Sequence, residues 1–133
     1  MKNLLGLLLF FSLVACKEDA PSNQLVGTWK LVSYCVPTSS TTCNSVVVPD
    51  SKRVFVSFTK NGEFGEGYQN TIPAEYAFLG CGGGTYELMP SQLRIRAVCM
   101  SSLNGALFNV VILDDKKLSL NGPSGGEYTF EKQ

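Results

Sequence analysis

From residue 25 onward, apolar and polar side chains alternate with a period of two, and no helical stripe of period 3.6 appears. Residues 25–35 place Trp29, Leu31 and Ser33 on one face, with Lys30, Val32 and Tyr34 on the other. Residues 53–59 bring Val54, Val56 and Phe58 together, and 63–69 follow across Lys60-Asn61-Gly62. Residues 74–79 form a weaker strand. Residues 85–89 and 93–99 are joined through Pro90-Ser91. In the second arm Leu93, Ile95, Ala97 and Cys99 alternate with Arg94, Arg96 and Val98. Residues 106–113, 116–120 and 126–132 complete the series. Asn-Gly recurs at 61–62, 104–105 and 121–122, and this pair supplies the positive φ that tight hairpins need. The stretch 37–49, rich in serine and threonine, is the one long connection.

Eight or nine short strands with short loops predict an all-β antiparallel meander. Such a sheet buries its apolar face and loses its edges by curling, so a small β-barrel of about eight strands is expected. The faces put Trp29, Leu31, Val54, Val56, Phe58, Tyr86, Leu88, Leu93, Ile95 and Ala97 inside, with Arg94 and Arg96 in water. Barrels of this size lie between a filled core and a one-ligand cavity. The many large aromatics favour a mostly filled interior. Trp29, Phe58, Tyr86 and Ile95 are the residues expected to line that core or cavity, with Phe108, Tyr128 and Phe130 beside them.

The amino end follows a different pattern. Lys2 precedes an apolar run of 12 residues, 4–15, too short for a membrane-spanning helix of about 20 residues. The run ends Leu13-Val14-Ala15-Cys16, which resembles the bacterial lipobox. The domains expected are a lipoprotein signal peptide at 1–15, an acylated tether at 16–24, and a β-barrel domain at 25–133. That resemblance implies lipidation of Cys16 and anchoring in the bacterial outer membrane, on its periplasmic or cell-surface face. A multiply acylated cysteine holds a membrane lastingly, unlike one myristoyl chain.

Charge narrows the function. Lysine plus arginine and aspartate plus glutamate are both 11, and histidine is 0. Balanced charge argues against nucleic acid. Lack of histidine removes Ser-His-Asp and Cys-His nucleophiles and imidazole-bound zinc. Cys35, Cys43, Cys81 and Cys99 remain after Cys16, an even number in a chain expected in an oxidising compartment, so two disulfides are expected. Three pairings are possible. Cys35 and Cys43 flank a seven-residue loop and could close it. Cys81 and Cys99 lie on the two arms of one hairpin. Pairing Leu88 with Leu93 and Tyr86 with Ile95 sets Cys99 opposite Gly82, and one bulged residue among Gly82-Gly83-Gly84 would bring Cys81 into line. No C-x₂₋₄-C pair points to a metal. Gly80-Cys81-Gly82-Gly83-Gly84 lacks the lysine-serine of a P-loop and reads as a barrel corner. Glu63 and Glu66 fall on opposite faces of a regular strand and are expected to face solvent. Arg94 and Arg96, with Lys30, are expected on the wet face, and Asp114-Asp115 falls short of a calcium cage.

Gly27-Thr28-Trp29-Lys30-Leu31 resembles the opening strand of the lipocalin-like domains of small bacterial lipoproteins. So do the hairpin Phe58-Thr59-Lys60-Asn61-Gly62-Glu63-Phe64, the pair Gly84-Thr85-Tyr86 and Leu93-Arg94-Ile95, and Leu118-Ser119-Leu120 with Tyr128-Thr129-Phe130-Glu131-Lys132. The resemblance implies an up-and-down barrel with the tryptophan plugging one end. An arginine of the last strand covers that tryptophan in true lipocalins, and Lys132 is the residue near that place here. Gly80-Cys81, Gly84-Thr85-Tyr86, Leu93 and Cys99 are also similar to META-domain lipoproteins, with Gly82 where those have asparagine. Neither resemblance implies a catalytic residue, cofactor or metal. The protein expected is a non-catalytic, outer-membrane-anchored lipoprotein that binds a small apolar ligand. With a filled barrel it would instead be an envelope protein-interaction or inhibitor module.

Overall fold

The computed structural model describes residues 21–133. The expectations for the signal segment and for Cys16 lie outside the described residues.

A short helix, α1 (Pro21–Leu25), precedes nine strands: β1 (Gly27–Pro37), β2 (Cys43–Val47), β3 (Arg53–Phe58), β4 (Glu63–Gln69), β5 (Gly83–Leu88), β6 (Gln92–Ala97), β7 (Ala106–Leu113), β8 (Lys117–Asn121) and β9 (Glu127–Lys132). Each pairs antiparallel with its neighbour in the order β2-β1-β3-β4-β5-β6-β7-β8-β9, and β9 returns to pair with β1. Eight strands therefore close a barrel, while β2 lies against the far half of β1. Trp29, Leu31, Val54, Val56, Phe58, Leu93, Ile95 and Ala97 are buried inside, as their alternation predicts. Tyr86 and Leu88 are half-buried at the rim.

Four expectations are corrected. Residues 74–79 are not a strand; the segment 70–82 between β4 and β5 is irregular. The stretch 37–49 is not all loop. It holds β2, which pairs Cys43 with Pro37 and Val47 with Ser33. The β1–β9 register slips between Leu31 and Ser33. This bulge reverses the alternation, so Tyr34 rather than Ser33 faces inward, and its ring stacks on Tyr128 at 5.9 Å. Finally, Asn121-Gly122 is not the tight turn expected. Gly125 and Gly126 carry the positive φ there, whereas Gly62 and Gly105 carry it as expected.

The β5–β6 register is the expected one, with Tyr86 facing Ile95 and Leu88 facing Leu93. Gly82, at φ 78°, is turned out of the ladder, and Cys81 comes to 5.3 Å from Cys99 between Cα atoms. The two form a disulfide, and Cys35 bonds Cys43 across the β1–β2 hairpin.

Candidate functional site: the barrel mouth

The antiparallel connectivity gives the barrel two unlike ends. The end where β1 begins is closed. Leu25 of α1 is fully buried, and the Trp29 indole Nε1 donates to its carbonyl at 2.8 Å. Lys132 Nζ lies 5.0 Å from the Trp29 ring centroid and donates to the Gln24 carbonyl at 2.9 Å. Lys132 thus covers the tryptophan as a cation over an aromatic face.

The other end is where β4 finishes and β5 starts, and the segment 70–82 folds across it. This segment inserts Phe78 into the barrel. Phe78 is only 6% exposed. Its ring centroid lies 5.0 Å from Tyr128, 5.1 Å from Phe108, 5.2 Å from Phe130 and 6.3 Å from Phe64. Three of those contacts are edge-to-face, the favourable aromatic geometry. Tyr76 and Leu79 pack against the same cluster. A side chain from a connection therefore sits in the middle of the barrel, among the aromatic side chains of the strands.

A carboxylate anchors that insertion. Glu66 on β4 is 8% exposed and shares its inward face with Phe64. Its Oε1 accepts from the Phe78 N–H at 2.9 Å, and its two oxygens accept from Leu79 at 3.0 and 3.2 Å and from Gly80 at 3.1 and 3.2 Å. Tyr68 donates its hydroxyl to Oε1 at 2.5 Å. Every partner is a donor, which is the set an ionised carboxylate accepts. Three successive N–H groups converging on one anion form a backbone nest, and Gly80, at φ 73°, makes the turn that aims them. Glu66 and Ser119 are the buried polar side chains among the described residues, and Ser119 hydrogen-bonds Glu127.

Tyrosines ring this mouth. Burial first, and then the hydrogen bond to Glu66, pushes the Tyr68 phenol far above its ordinary value. Burial also raises Tyr128, with Tyr34 and Glu66 adding to it, and raises Tyr34, with Tyr76 adding. These phenols stay protonated, and that of Tyr68 donates to Glu66. The segment is tied down at both ends. Lys52 Nζ bonds the Glu75 carboxylate at 2.6 and 2.8 Å, Thr71 donates to it at 2.9 Å, and Cys81–Cys99 fixes the far end to the segment after β6. The Lys52 bond, then that of Thr71, holds the Glu75 carboxyl below its usual range.

The sequence-derived residues divide accordingly. Trp29, Phe58 and Ile95 line the buried core, and Tyr86 sits at its edge with its hydroxyl bonded to the Thr59 carbonyl at 2.6 Å. Glu63 is exposed as expected, but Glu66 is not a solvent-facing charge. Arg94 and Arg96 are half-buried and donate to the carbonyls of Asn104 and Leu103, strapping the loop before β7, while Lys30 bonds Asp50. They do not form an open anionic-ligand row. Asp114 accepts the N–H groups of Lys116 and Lys117 at 2.8 and 2.7 Å, which lowers its pKa and makes it a turn residue. Among the described residues no three histidine, cysteine or acidic side chains gather as metal ligands would. Glu66, Tyr68, Phe64 and Phe78 were not singled out as site residues from sequence. The available signal was parity: residues 64, 66 and 68 share one strand face.

No protein-family profile and no curated protein sequence matches this chain. Solved structures do. A lipocalin-like protein from Bacteroides uniformis ATCC 8492 superposes with a TM-score of 0.58 at 23% identity, covering 83% of this chain and 99% of its own. An uncharacterized protein from Bacteroides eggerthii DSM 20697 superposes with a TM-score of 0.56 at 25% identity, covering 82% and 99%. The fold is lipocalin-like. At the mouth of this barrel Phe78 is buried among the strand aromatics.

Proposed function

We propose that this chain is a lipid-anchored, non-catalytic binding protein of the bacterial outer membrane, which takes a small ligand with an apolar body into its barrel in place of Phe78. The observation that carries this reading is that the central volume is occupied by a loop side chain. Strand side chains leave only by unfolding, whereas a connection can open locally. Withdrawal of Tyr76, Phe78 and Leu79 would free an aromatic-walled chamber of the kind that holds small ligands. The anchor reading rests on the Leu13 to Cys16 resemblance to a lipobox. Cys16→Ala should abolish metabolic labelling with a fatty acid, and labelling that persists would refute it.

The chamber is tested with a neutral naphthyl alcohol, a fluorescent probe whose hydroxyl can donate to the carboxylate in the barrel. The chain should bind it saturably, and Phe78→Ala should bind it at least about tenfold tighter, because the plug no longer has to be displaced. A folded Phe78→Ala variant that binds no probe would contradict the reading. The second reading, an envelope protein-interaction or inhibitor module, draws on Ile72, Val98 and Leu103. They are 62%, 83% and 95% exposed on the two segments that Cys81–Cys99 joins.

A further inference from the structure

The chemistry of the mouth narrows the ligand. Glu66 is the carboxylate buried in the barrel, and most of its donors belong to the segment that would have to leave. Withdrawal of residues 78–80 removes three backbone N–H groups and leaves the Tyr68 hydroxyl alone. A buried carboxylate stripped of donors is strongly disfavoured, so an occupant must bring donors of its own. An anionic head would be repelled, and a wholly apolar one would leave the charge unpaired. The three ion pairs found among the described residues leave Glu66 without a cationic partner. A primary ammonium fits best: it carries three N–H donors, no acceptor and the opposite charge.

Phe78 also supplies the template for the rest of the molecule. Its backbone nitrogen lies 2.9 Å from Glu66 Oε1 while its ring sits 5.0–5.2 Å from those of Tyr128, Phe108 and Phe130. Nitrogen, Cα, Cβ and ring together are the skeleton of a 2-arylethylamine. The segment therefore occupies the barrel as such an amine would, with nitrogen on the carboxylate and ring in the aromatic chamber.

We infer that the barrel accepts primary 2-arylethylamines, the ammonium replacing the N–H groups of residues 78–80 on Glu66 and the aryl group replacing the Phe78 ring. This rests on the chamber reading above and gives it a ligand class. Nothing covalent is involved. The ligand enters protonated and leaves protonated.

The test is calorimetric titration of the full-length chain near pH 7 with 2-phenylethylamine, 2-phenylethanol and 3-phenylpropionate, which share the ring and differ in the head. The amine should bind at least about tenfold tighter than the alcohol, and the carboxylate should not bind. Glu66→Gln should abolish the preference for the amine, so that amine and alcohol bind that variant within a factor of about two of each other. Should Glu66→Gln fail to fold, amide hydrogen exchange of the natural chain decides the matter: saturating 2-phenylethylamine should speed exchange at Phe78, Leu79 and Gly80, and bound amine with unchanged exchange there would overturn the inference. The neutral probe binding with no preference for the amine would overturn the ligand class and leave the chamber reading standing. Failure of the probe and of all three compounds to bind either the natural chain or a folded Phe78→Ala variant would overturn both.

Discussion

Trp29 and Glu66 fix the two ends of the barrel by opposite chemistry. Trp29 is fully buried, its one polar atom bonded to Leu25 and its face covered by Lys132. Trp29→Ala should therefore lower stability by about 3–5 kcal/mol in urea unfolding, as core deletions do. A loss under about 1 kcal/mol would mean that the closed end carries little of the fold. Trp29 was legible because the Gly-x-Trp strand resembles the lipocalin opening and because it alternates with polar neighbours. Lys132 was recognisable only as standing near the covering position, since sequence places no cation over a ring. Glu66 was misread for a physical reason. Alternation alone puts it inward with Phe64, but a lone carboxylate belongs inside only if donors meet it there. Those donors are backbone N–H groups of residues 78–80, which no side-chain pattern reveals. Asp114 and Glu63 look equally charged in sequence and stand outside.

The strands were legible where one face is buried and one is wet, as in β3 and β6. Legibility failed where packing does not impose a period. β2 has mostly exposed residues and is held by its ladder to β1 and by Cys35–Cys43, so Cys43-Asn44-Ser45 reads as loop. The reverse error at 74–79 arose because Phe78 and Leu79 are apolar for the sake of the barrel interior, with no partner strand for their own segment. Both disulfides act on connections. Cys81–Cys99 closes an 18-residue separation at the end of the segment that carries Phe78. Replacing both cysteines by serine should lower the melting temperature by more than about 5 °C, given roughly 3 kcal/mol for a loop of this length in the chain-entropy model. It should also tighten probe binding, because the segment opens more readily. An unchanged melting point and unchanged affinity would show that the bridge neither stabilises the fold nor restrains the segment.

Taken whole, the molecule is polar along its axis. α1, the described segment nearest Cys16, packs at the closed end with Trp29, while the 70–82 segment, the disulfide that tethers it and the loop before β7 stand at the opposite one. A lipid on Cys16 would therefore set the closed end toward the bilayer and the mouth away from it. The fold class and the barrel closure could be anticipated from period-two alternation over most of the chain. A mostly filled interior was expected too, but not that a loop residue fills it, because this depends on the Phe78 backbone N–H meeting a buried carboxylate 12 residues away. Whether Phe78 is a displaceable occupant or permanent core is decided by native-state hydrogen exchange at the amides of Phe78, Leu79 and Gly80, compared with the most protected amides of β6 and β9. A displaceable plug opens locally, so the three amides should exchange with a smaller free energy than the strands and with little dependence on added denaturant. If they exchange only with global unfolding, at the strands' free energy and with the strands' denaturant dependence, Phe78 is core and the barrel does not open for a ligand.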